Sequence, residues 1–323
     1  MLSKRVDPEL ASCLDTLSPL NLWDDLPAFR ERLAQWAAQR AETHPVIENV
    51  ISGDDTVRVD DQNTVRVRVY RPDKLDEPLP ALICLHGGGY CVGSLDQDDD
   101  WVRRLVQAVG CAVVSVDYRL APEQPFPAAL DDAYAALQWA HTHASELAFD
   151  KGRLAVGGMS AGAGLAAGLA LAARDRGNVP LIFQLLCCPM LDDRNSTPSS
   201  YSITDTRVWN RQSNLCGWAA YLGSQLESSA TSVYAAAARA TDLSGLPPLY
   251  MRVGSEDLFV DENCDYAARL TAARVPTDFA VIPGAFHGFE VIAPDAYISK
   301  VTVNGYYIAL RRALFADELS SSR

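Results

Sequence analysis

The feature that most constrains this fold is a regular alternation between short apolar runs and amphipathic helical segments. Continuous apolar runs are typical of strands covered on both faces, and repeated β–α alternation favours a mostly parallel sheet with helices on both faces. The sequence therefore predicts an α/β fold. The expected strands are 64–70, 81–85, 112–116, 154–156, 181–186, 249–253 and 278–282, and the expected helices are 101–109, 130–141, 161–174, 262–273 and 298–314.

Two segments depart from this alternation. Residues 1–45 place apolar side chains at helical spacing, and residues 192–243 are rich in Ser, Thr and Asn but also contain several aromatic side chains. We expect 46–191 and 244–323 to form one catalytic core, with 1–45 and 192–243 as helical cap elements.

The charge balance excludes some classes of partner. The formal net charge is −13 and the pI is near 4.8, which argues against nucleic acid or an anionic membrane, since both attract basic surfaces. The charge-free stretch 154–173 is long enough to span a bilayer. It contains five glycines, however, and we interpret it as a buried strand, a tight turn and a buried helix. No signal peptide or integral membrane segment is expected.

The cysteine pattern favours a reducing compartment. Eight cysteines are scattered along the chain, several of them in apolar runs, and none forms a C-x-x-C pair. Such thiols are typical of a cytoplasmic protein and fit neither a disulfide framework nor a zinc site. No metal site is predicted.

The strongest local motif is the pentapeptide GMSAG at 158–162, between the predicted strand 154–156 and the helix that follows. G-x-S-x-G in a strand–turn–helix context is typical of a nucleophilic serine on a sharp turn. The turn requires small residues such as Gly158 and Gly162 on either side of Ser160, and the helix N-terminus favours developing negative charge. The alternative is a helix start capped by a serine.

A second motif, HGGGY at 86–90, directly follows the predicted strand 81–85. Successive glycines leave backbone N–H groups unobstructed, as an oxyanion hole requires. This loop upstream of G-x-S-x-G is a pairing met in lipases and esterases, whereas a simple glycine turn would explain neither the histidine nor the pairing. We expect His86, Gly87 and Tyr90 to support the site.

A nucleophilic serine needs a general base, and the chain has five histidines. Where the nucleophile lies on such a turn, the order along the chain is serine, acid, histidine. Only His287 follows Ser160, so His287 is the predicted base. His141 and His143 do not share a helix face and are interpreted as surface residues.

The acid is expected in the loop after strand 249–253, which contains Glu256, Asp257 and, further on, Asp261. We select Asp257 on spacing, with Glu256 and Asp261 as the alternatives. Its predicted role is to accept the second imidazole N–H, which fixes the tautomer and stabilises the imidazolium.

Together these motifs resemble the bacterial hormone-sensitive-lipase-like esterases of the α/β-hydrolase fold. The resemblance extends over nearly the whole predicted core. The matching segments are HGGGY at 86–90, DYRLAPEQPFPAALDDAYAAL at 117–137, GMSAG at 158–162, the stretch 257–262 and FHGF at 286–289.

The resemblance implies roles for further residues. The oxyanion donors would be the N–H groups of Gly88, Gly89 and Ala161, and His86 would organise the glycine loop. The helical additions would form a cap over the acyl and alcohol pockets. Members of this family typically hydrolyse short-chain esters without a cofactor, and many form homodimers.

Two positions depart from the family pattern. The family usually has G-D-S-A-G-G around the serine, whereas this chain has Met159 before Ser160 and Ala163 after Gly162. Neither position is a member of the catalytic triad, so the departure affects only the local hydrogen bonds that support the nucleophile turn.

The predicted function is that of a serine carboxylesterase acting on small short- to medium-chain esters through an acyl-enzyme. An amidase, peptidase or lactonase could use the same triad, because leaving-group preference depends on pocket shape. A non-catalytic small-molecule receptor is a further alternative, since plant hormone receptors with this resemblance have lost the histidine. The presence of His287 argues against it.

Overall fold

The computed structural model describes residues 5–20, 22–43, 47–74, 78–226 and 230–316. Strands and helices alternate through most of this range. The strands are β1 (Val50–Arg58), β2 (Thr64–Pro72), β3 (Leu79–Leu85), β4 (Ala112–Val116), β5 (Phe149–Met159), β6 (Phe183–Cys187), β7 (Leu249–Glu256) and β8 (Thr277–Phe286). The helices are α1 (Pro8–Leu14), α2 (Leu26–Thr43), α3 (Leu95–Val109), α4 (Ala128–Thr142), α5 (Ala144–Leu147), α6 (Ala161–Arg176), α7 (Pro198–Ser202), α8 (Arg211–Leu222), α9 (Val260–Ala272), α10 (Phe289–Ile292) and α11 (Tyr297–Leu314).

The eight strands form one sheet in the order β1-β2-β4-β3-β5-β6-β7-β8. Strand β2 pairs antiparallel with both β1 and β4, and the remaining neighbours are parallel. The prediction of an α/β fold with a mostly parallel sheet is therefore confirmed. The order reverses around β3, so the carboxyl ends of β3 and β5 lie side by side at the switch point where open α/β sheets bind ligands.

Helices cover both faces of the sheet. Helices α3 and α11 pack on one face through residues such as Val102, Leu105 and Leu310. Helices α4, α6 and α9 pack on the other face through residues such as Leu137 and Leu169. These apolar layers leave polar groups to gather at the strand ends, which is where the catalytic candidates lie.

The charge-free stretch 154–173 has the predicted strand–turn–helix form. Its strand part belongs to β5, and the helix α6 begins immediately after the turn, with every residue from Ala161 to Ala173 buried. Burial among other helices explains its apolar composition. Within the described ranges, no helix is long and apolar enough to cross a membrane.

The helices of the two additions are fastened to the core near the glycine loop. Arg30 of α2 donates from Nε to the Cys91 carbonyl (2.7 Å) and from Nη2 to the Ala121 carbonyl (2.8 Å), and it pairs with Glu123. A methyl group built at Gly89 would overlap the ring of Trp209, which precedes α8. Both additions therefore lie at the end of the sheet that holds the candidate site.

Candidate active site

Ser160 occupies a strained turn between β5 and α6. Its φ of 56° and ψ of −119° lie in a region that L-residues rarely adopt. A Cβ at Gly158 would overlap the Leu85 carbonyl, and one at Gly162 would overlap the carbonyls of Leu85 and His86. The turn thus presses against the end of β3, which explains why both flanking positions are glycine.

Ser160, His287 and Asp257 form a continuous chain of hydrogen bonds. The Ser160 Oγ lies 2.9 Å from His287 Nε2, and His287 Nδ1 lies 2.8 Å from Asp257 Oδ2. The other carboxylate oxygen, Oδ1, accepts from the N–H of Phe259 at 2.9 Å. Asp257 is 1% exposed and Ser160 is 7% exposed. The three predicted residues are brought together in the order that nucleophilic catalysis requires.

The two alternative acids point elsewhere. Glu256 pairs with Arg5 through Oε2 at 3.0 Å. Asp261 accepts from the N–H of Ser199 in α7 at 2.6 Å, which ties residues of the second addition to the core. Asp257 is thus the member of this loop that contacts His287.

The protonation of His287 is controlled by its neighbours. Burial alone would lower its pKa, but the charge and the hydrogen bond of Asp257, with a contribution from Glu290, raise the pKa of His287 above its usual value. A base with a raised pKa binds the serine proton more strongly. Because the imidazole must first be neutral, this shift moves the acidic limb of the activity profile to higher pH.

The glycine loop leaves backbone donors free beside the serine. In the part of the chain that the structure describes, the N–H groups of Gly88, Gly89 and Ala161 donate no hydrogen bond. Gly87 sets the distance between loop and nucleophile, since a Cβ built on it would lie 3.7 Å from the Ser160 Cβ. Free, preorganised N–H groups next to a nucleophile are the requirement for stabilising an oxyanion.

His86 is buried, and its ring contacts Gly87 and Tyr118. Its Nδ1 lies 2.9 Å from the Gly87 carbonyl, and its ring stacks on Tyr118 with centroids 4.1 Å apart. The Tyr118 hydroxyl donates to the His86 carbonyl at 2.7 Å. Burial lowers the pKa of His86, so the ring is neutral and donates from Nδ1. These contacts agree with a supporting role for His86.

Tyr90 connects the glycine loop to the second addition. Its ring stacks on Tyr221 of α8 with centroids 3.8 Å apart and lies 5.6 Å from the ring of Trp218. All three side chains are at most 1% exposed. The aromatic side chains of α8 therefore fix the 192–243 addition onto the core. Tyr201 of the same addition is 59% exposed and is not part of this packing.

Cys188 belongs to the site, although its sequence context did not single it out. Donor atoms of Cys188, Asp257 and His287 lie within 4.8 Å of one another. Burial raises the pKa of the Cys188 thiol well above its usual value, and metal ligation needs the thiolate. A metal on these three donors would also compete for the Asp257–His287 bond. The set therefore fits the hydrogen-bonded triad better than a metal centre.

Glu290 is a second neighbour of the triad that sequence reasoning missed. It lies three residues after His287 in α10, is 7% exposed, and accepts from the Tyr306 hydroxyl at 2.9 Å. Burial raises the pKa of Glu290. The sequence signal for Glu290 was an acidic residue three positions after the predicted base, which a helical turn would bring close to it. The sequence did not predict the short helix α10 that forms this turn.

Comparison with known proteins places these motifs in a family. Residues 82–291 match a family model described by the α/β-hydrolase fold. Carboxylesterase NlhH of Mycobacterium tuberculosis is 36% identical over 317 residues, covering 96% of this chain and 97% of that protein. An ethyl acetate hydrolase of Pseudomonas putida is 37% identical over 240 residues, covering 71% of this chain and 72% of that protein.

Solved structures give the same result. A bacterial heroin esterase superimposes with a TM-score of 0.93 at 39% identity, covering 97% of this chain and 99% of that one. At that identity and coverage, the likeness extends through the core and both additions.

Proposed function

The chain belongs to the hormone-sensitive-lipase-like branch of the α/β-hydrolase family, and on that premise we propose that it is a serine carboxylesterase with Ser160, His287 and Asp257 as its triad. The observation that carries this proposal is the unbroken chain of hydrogen bonds from Ser160 to Asp257, next to free N–H groups of the glycine loop. The names of the relatives, carboxylesterase and ethyl acetate hydrolase, support it.

The proposed reaction has two halves. The Ser160 Oγ forms a bond to the ester carbonyl carbon while its proton passes to His287 Nε2, and His287 then gives this proton to the departing alcohol oxygen. Water attacks the resulting acyl-enzyme with His287 as base, which releases the acid and restores the serine. Asp257 stabilises the imidazolium in both halves.

The proposed oxyanion hole consists of the N–H groups of Gly88, Gly89 and Ala161. They stabilise the negative oxygen of both tetrahedral intermediates, and the loss of one such donor typically lowers the rate by about 10²–10³. His86, Gly87, Tyr90, Gly158 and Gly162 hold the loop and the turn in place. No cofactor takes part in these steps.

We propose that 1–45 and 192–243 act as a cap that limits the volume for the acyl chain. The contacts of Arg30 with the core, of Trp209 with Gly89, and of Tyr221 with Tyr90 support this. Packed aromatic rings next to the proposed oxyanion hole do not move easily to admit a longer acyl chain, because inserting extra methylenes into a packed interior costs about 1–3 kcal/mol.

This proposal predicts the acyl-chain dependence. Each buried methylene contributes about 0.8 kcal/mol, or about fourfold in kcat/KM, until the pocket is full. We expect kcat/KM for p-nitrophenyl esters to rise from acetate to about butyrate or hexanoate and then to fall, with little activity on emulsified long-chain triglycerides.

Two outcomes would contradict this account of the cap and the reaction. An optimum at twelve carbons or longer would show that the cap does not limit the pocket. Faster hydrolysis of an anilide than of its matching ester would indicate an amidase that uses the same triad.

We further propose that the protein forms a homodimer through the β8 edge of the sheet. Helix α11 exposes Tyr297, Val301 and Ile308, of which Tyr297 is 73% exposed, and β8 is an edge strand whose outer side pairs with no described strand. Exposed apolar side chains beside an open edge are typical of interfaces. Sedimentation velocity tests this, because a single species at the mass of one chain would exclude the dimer.

A cytoplasmic location is proposed from the thiols. All eight cysteines are free, and five of them are buried, as expected where thiols stay reduced. Fractionation of the native host with an antibody to the protein would test it, and recovery from the culture medium would contradict it.

A further inference from the structure

A cavity of about 460 Å³ lies between helices α2, α3, α10 and α11, next to the nucleophile turn. Its lining includes Met159, the residue directly before Ser160, together with Trp36, Trp101 and Glu290. At the position of Met159 the family usually has Asp. The chain neighbour of the nucleophile therefore forms an apolar part of the cavity wall, whereas Ser160 and His287 themselves are not lining residues.

Two carboxylates that line this cavity form no ion pair with a described lysine or arginine, although Glu290 also interacts electrostatically with the His287 imidazole. Glu290 is 7% exposed and its Oε1 accepts from Tyr306, but its Oε2 is buried with no hydrogen-bond partner in the described structure. Asp98 also lines the cavity and makes no hydrogen bond or ion pair with any described residue, and burial raises its pKa to about 7. Buried polar groups are normally satisfied, so the unpartnered Oε2 of Glu290 points to a ligand that complements it, and the partly buried Asp98 adds a second carboxylate to the same lining.

The basic side chains of the lining are already paired with other acids. Arg104 and Arg40 both contact Asp100, at 2.9 and 3.7 Å, and Lys300 contacts Asp295 at 3.2 Å. Arg40 and Arg104 share the one carboxylate of Asp100, whereas Lys300 and Asp295 pair one to one. Neither Glu290 nor Asp98 is neutralised by these basic side chains.

Aromatic rings complete the lining. Trp36, Trp101 and Tyr307 all contribute to it, and the Nε1 of Trp101 is buried with no described partner. The Arg40 guanidinium lies over the Trp36 ring, 4.7 Å from its centroid, so one aromatic wall already accepts a cation. Aromatic faces and unpaired carboxylates together are the chemistry that binds an ammonium group.

We propose that this cavity binds a protonated or quaternary ammonium group in the alcohol part of the ester substrate, an inference that rests on the proposed esterase function. The alcohol side is indicated because Glu290, Val291 and Pro294 line the cavity and closely follow His287. His287 is the group that hands its proton to the departing alcohol. An ammonium on that alcohol then lies between Glu290 and the aromatic rings.

The test compares two esters of equal shape and different charge, choline butyrate and 3,3-dimethylbutyl butyrate. We expect the unmodified protein to favour choline butyrate in kcat/KM by on the order of tenfold, since a desolvated cation–π contact and a carboxylate both stabilise the cation. Equal values, or a preference for the neutral ester, would overturn the proposal.

Variants identify the residues responsible. Glu290→Gln and Asp98→Asn should each reduce the preference several-fold, and Glu146→Gln, which removes the same charge from an exposed position in α5, should leave it unchanged. Any effect of Glu290 on His287 changes kcat/KM for both esters equally, so it cancels in the ratio of the two kcat/KM values. An unchanged ratio in both cavity variants, with folding verified by circular dichroism, would contradict the assignment.

A binding measurement separates this inference from the esterase proposal. Choline and 3,3-dimethylbutan-1-ol are titrated against the full chain, with intrinsic tryptophan fluorescence as the readout. Tighter binding of choline that is weakened by Glu290→Gln supports the site even if neither ester is hydrolysed, in which case the esterase proposal fails alone. Choline binding no tighter than that of the neutral alcohol overturns the site even if both esters are hydrolysed.

Discussion

The variants Ser160→Ala and His287→Ala should each lower kcat for p-nitrophenyl butyrate by roughly 10⁶. A loss of about this size is typical when the serine or the histidine of a serine triad is removed. Without Ser160 no acyl-enzyme forms. Without His287 the hydroxyl 2.9 Å away keeps its proton and remains a weak nucleophile. The double variant should be scarcely slower than either single variant, because the two groups act as one unit.

The control for this experiment is His141→Ala. His141 lies in the last turn of α4 and makes no hydrogen bond to a described triad residue, so its loss should change kcat by less than about twofold. Strictly multiplicative losses in the double variant would show that Ser160 and His287 act independently, contrary to the proposed mechanism.

Asp257→Asn should lower kcat by about 10⁴ while leaving the fold intact. The amide oxygen can still accept from the Phe259 N–H, which directs the amide NH₂ toward His287 Nδ1. Two donors cannot pair, so the imidazole adopts the tautomer with its proton on Nε2. That nitrogen then faces the Ser160 hydroxyl as a donor and cannot take its proton.

The matched control is Glu256→Gln, which makes the same chemical change one residue earlier. Glu256 is buried, but it pairs with Arg5 and not with His287, so this change leaves the Asp257–His287 bond in place. We expect nearly unchanged kcat. If Glu256→Gln were the crippling change and Asp257→Asn were mild, the acid would be wrongly assigned.

Much of the fold could be predicted because the sheet is buried on both faces. Strands such as β4 and β6 are buried along their whole length, so they appear in the sequence as apolar runs. The first strand, β1, was not predicted. Six of its nine residues are exposed in succession, from Ile51 to Thr56, so no apolar alternation marks it, and only its backbone pairing with β2 makes it a strand.

The triad could be predicted because its members follow fixed elements in a fixed chain order. Glu290 and Cys188 could not be predicted in the same way. Both lie beside His287 because separate segments, α10 and the end of β6, meet in space, and neither carries a motif of its own. In the sequence Met159 is only a departure from the family pattern, whereas the structure places it in the wall of a cavity.

The most direct test of the central claim is the intact mass of the protein after reaction with a fluorophosphonate. If Ser160 is the activated nucleophile, the unmodified chain gains one phosphonyl group, peptide mapping places it on Ser160, and activity is lost in proportion to labelling. The Ser160→Ala variant should gain none. Labelling at a different residue, or full activity in the labelled protein, would contradict the assignment of Ser160 as the nucleophile.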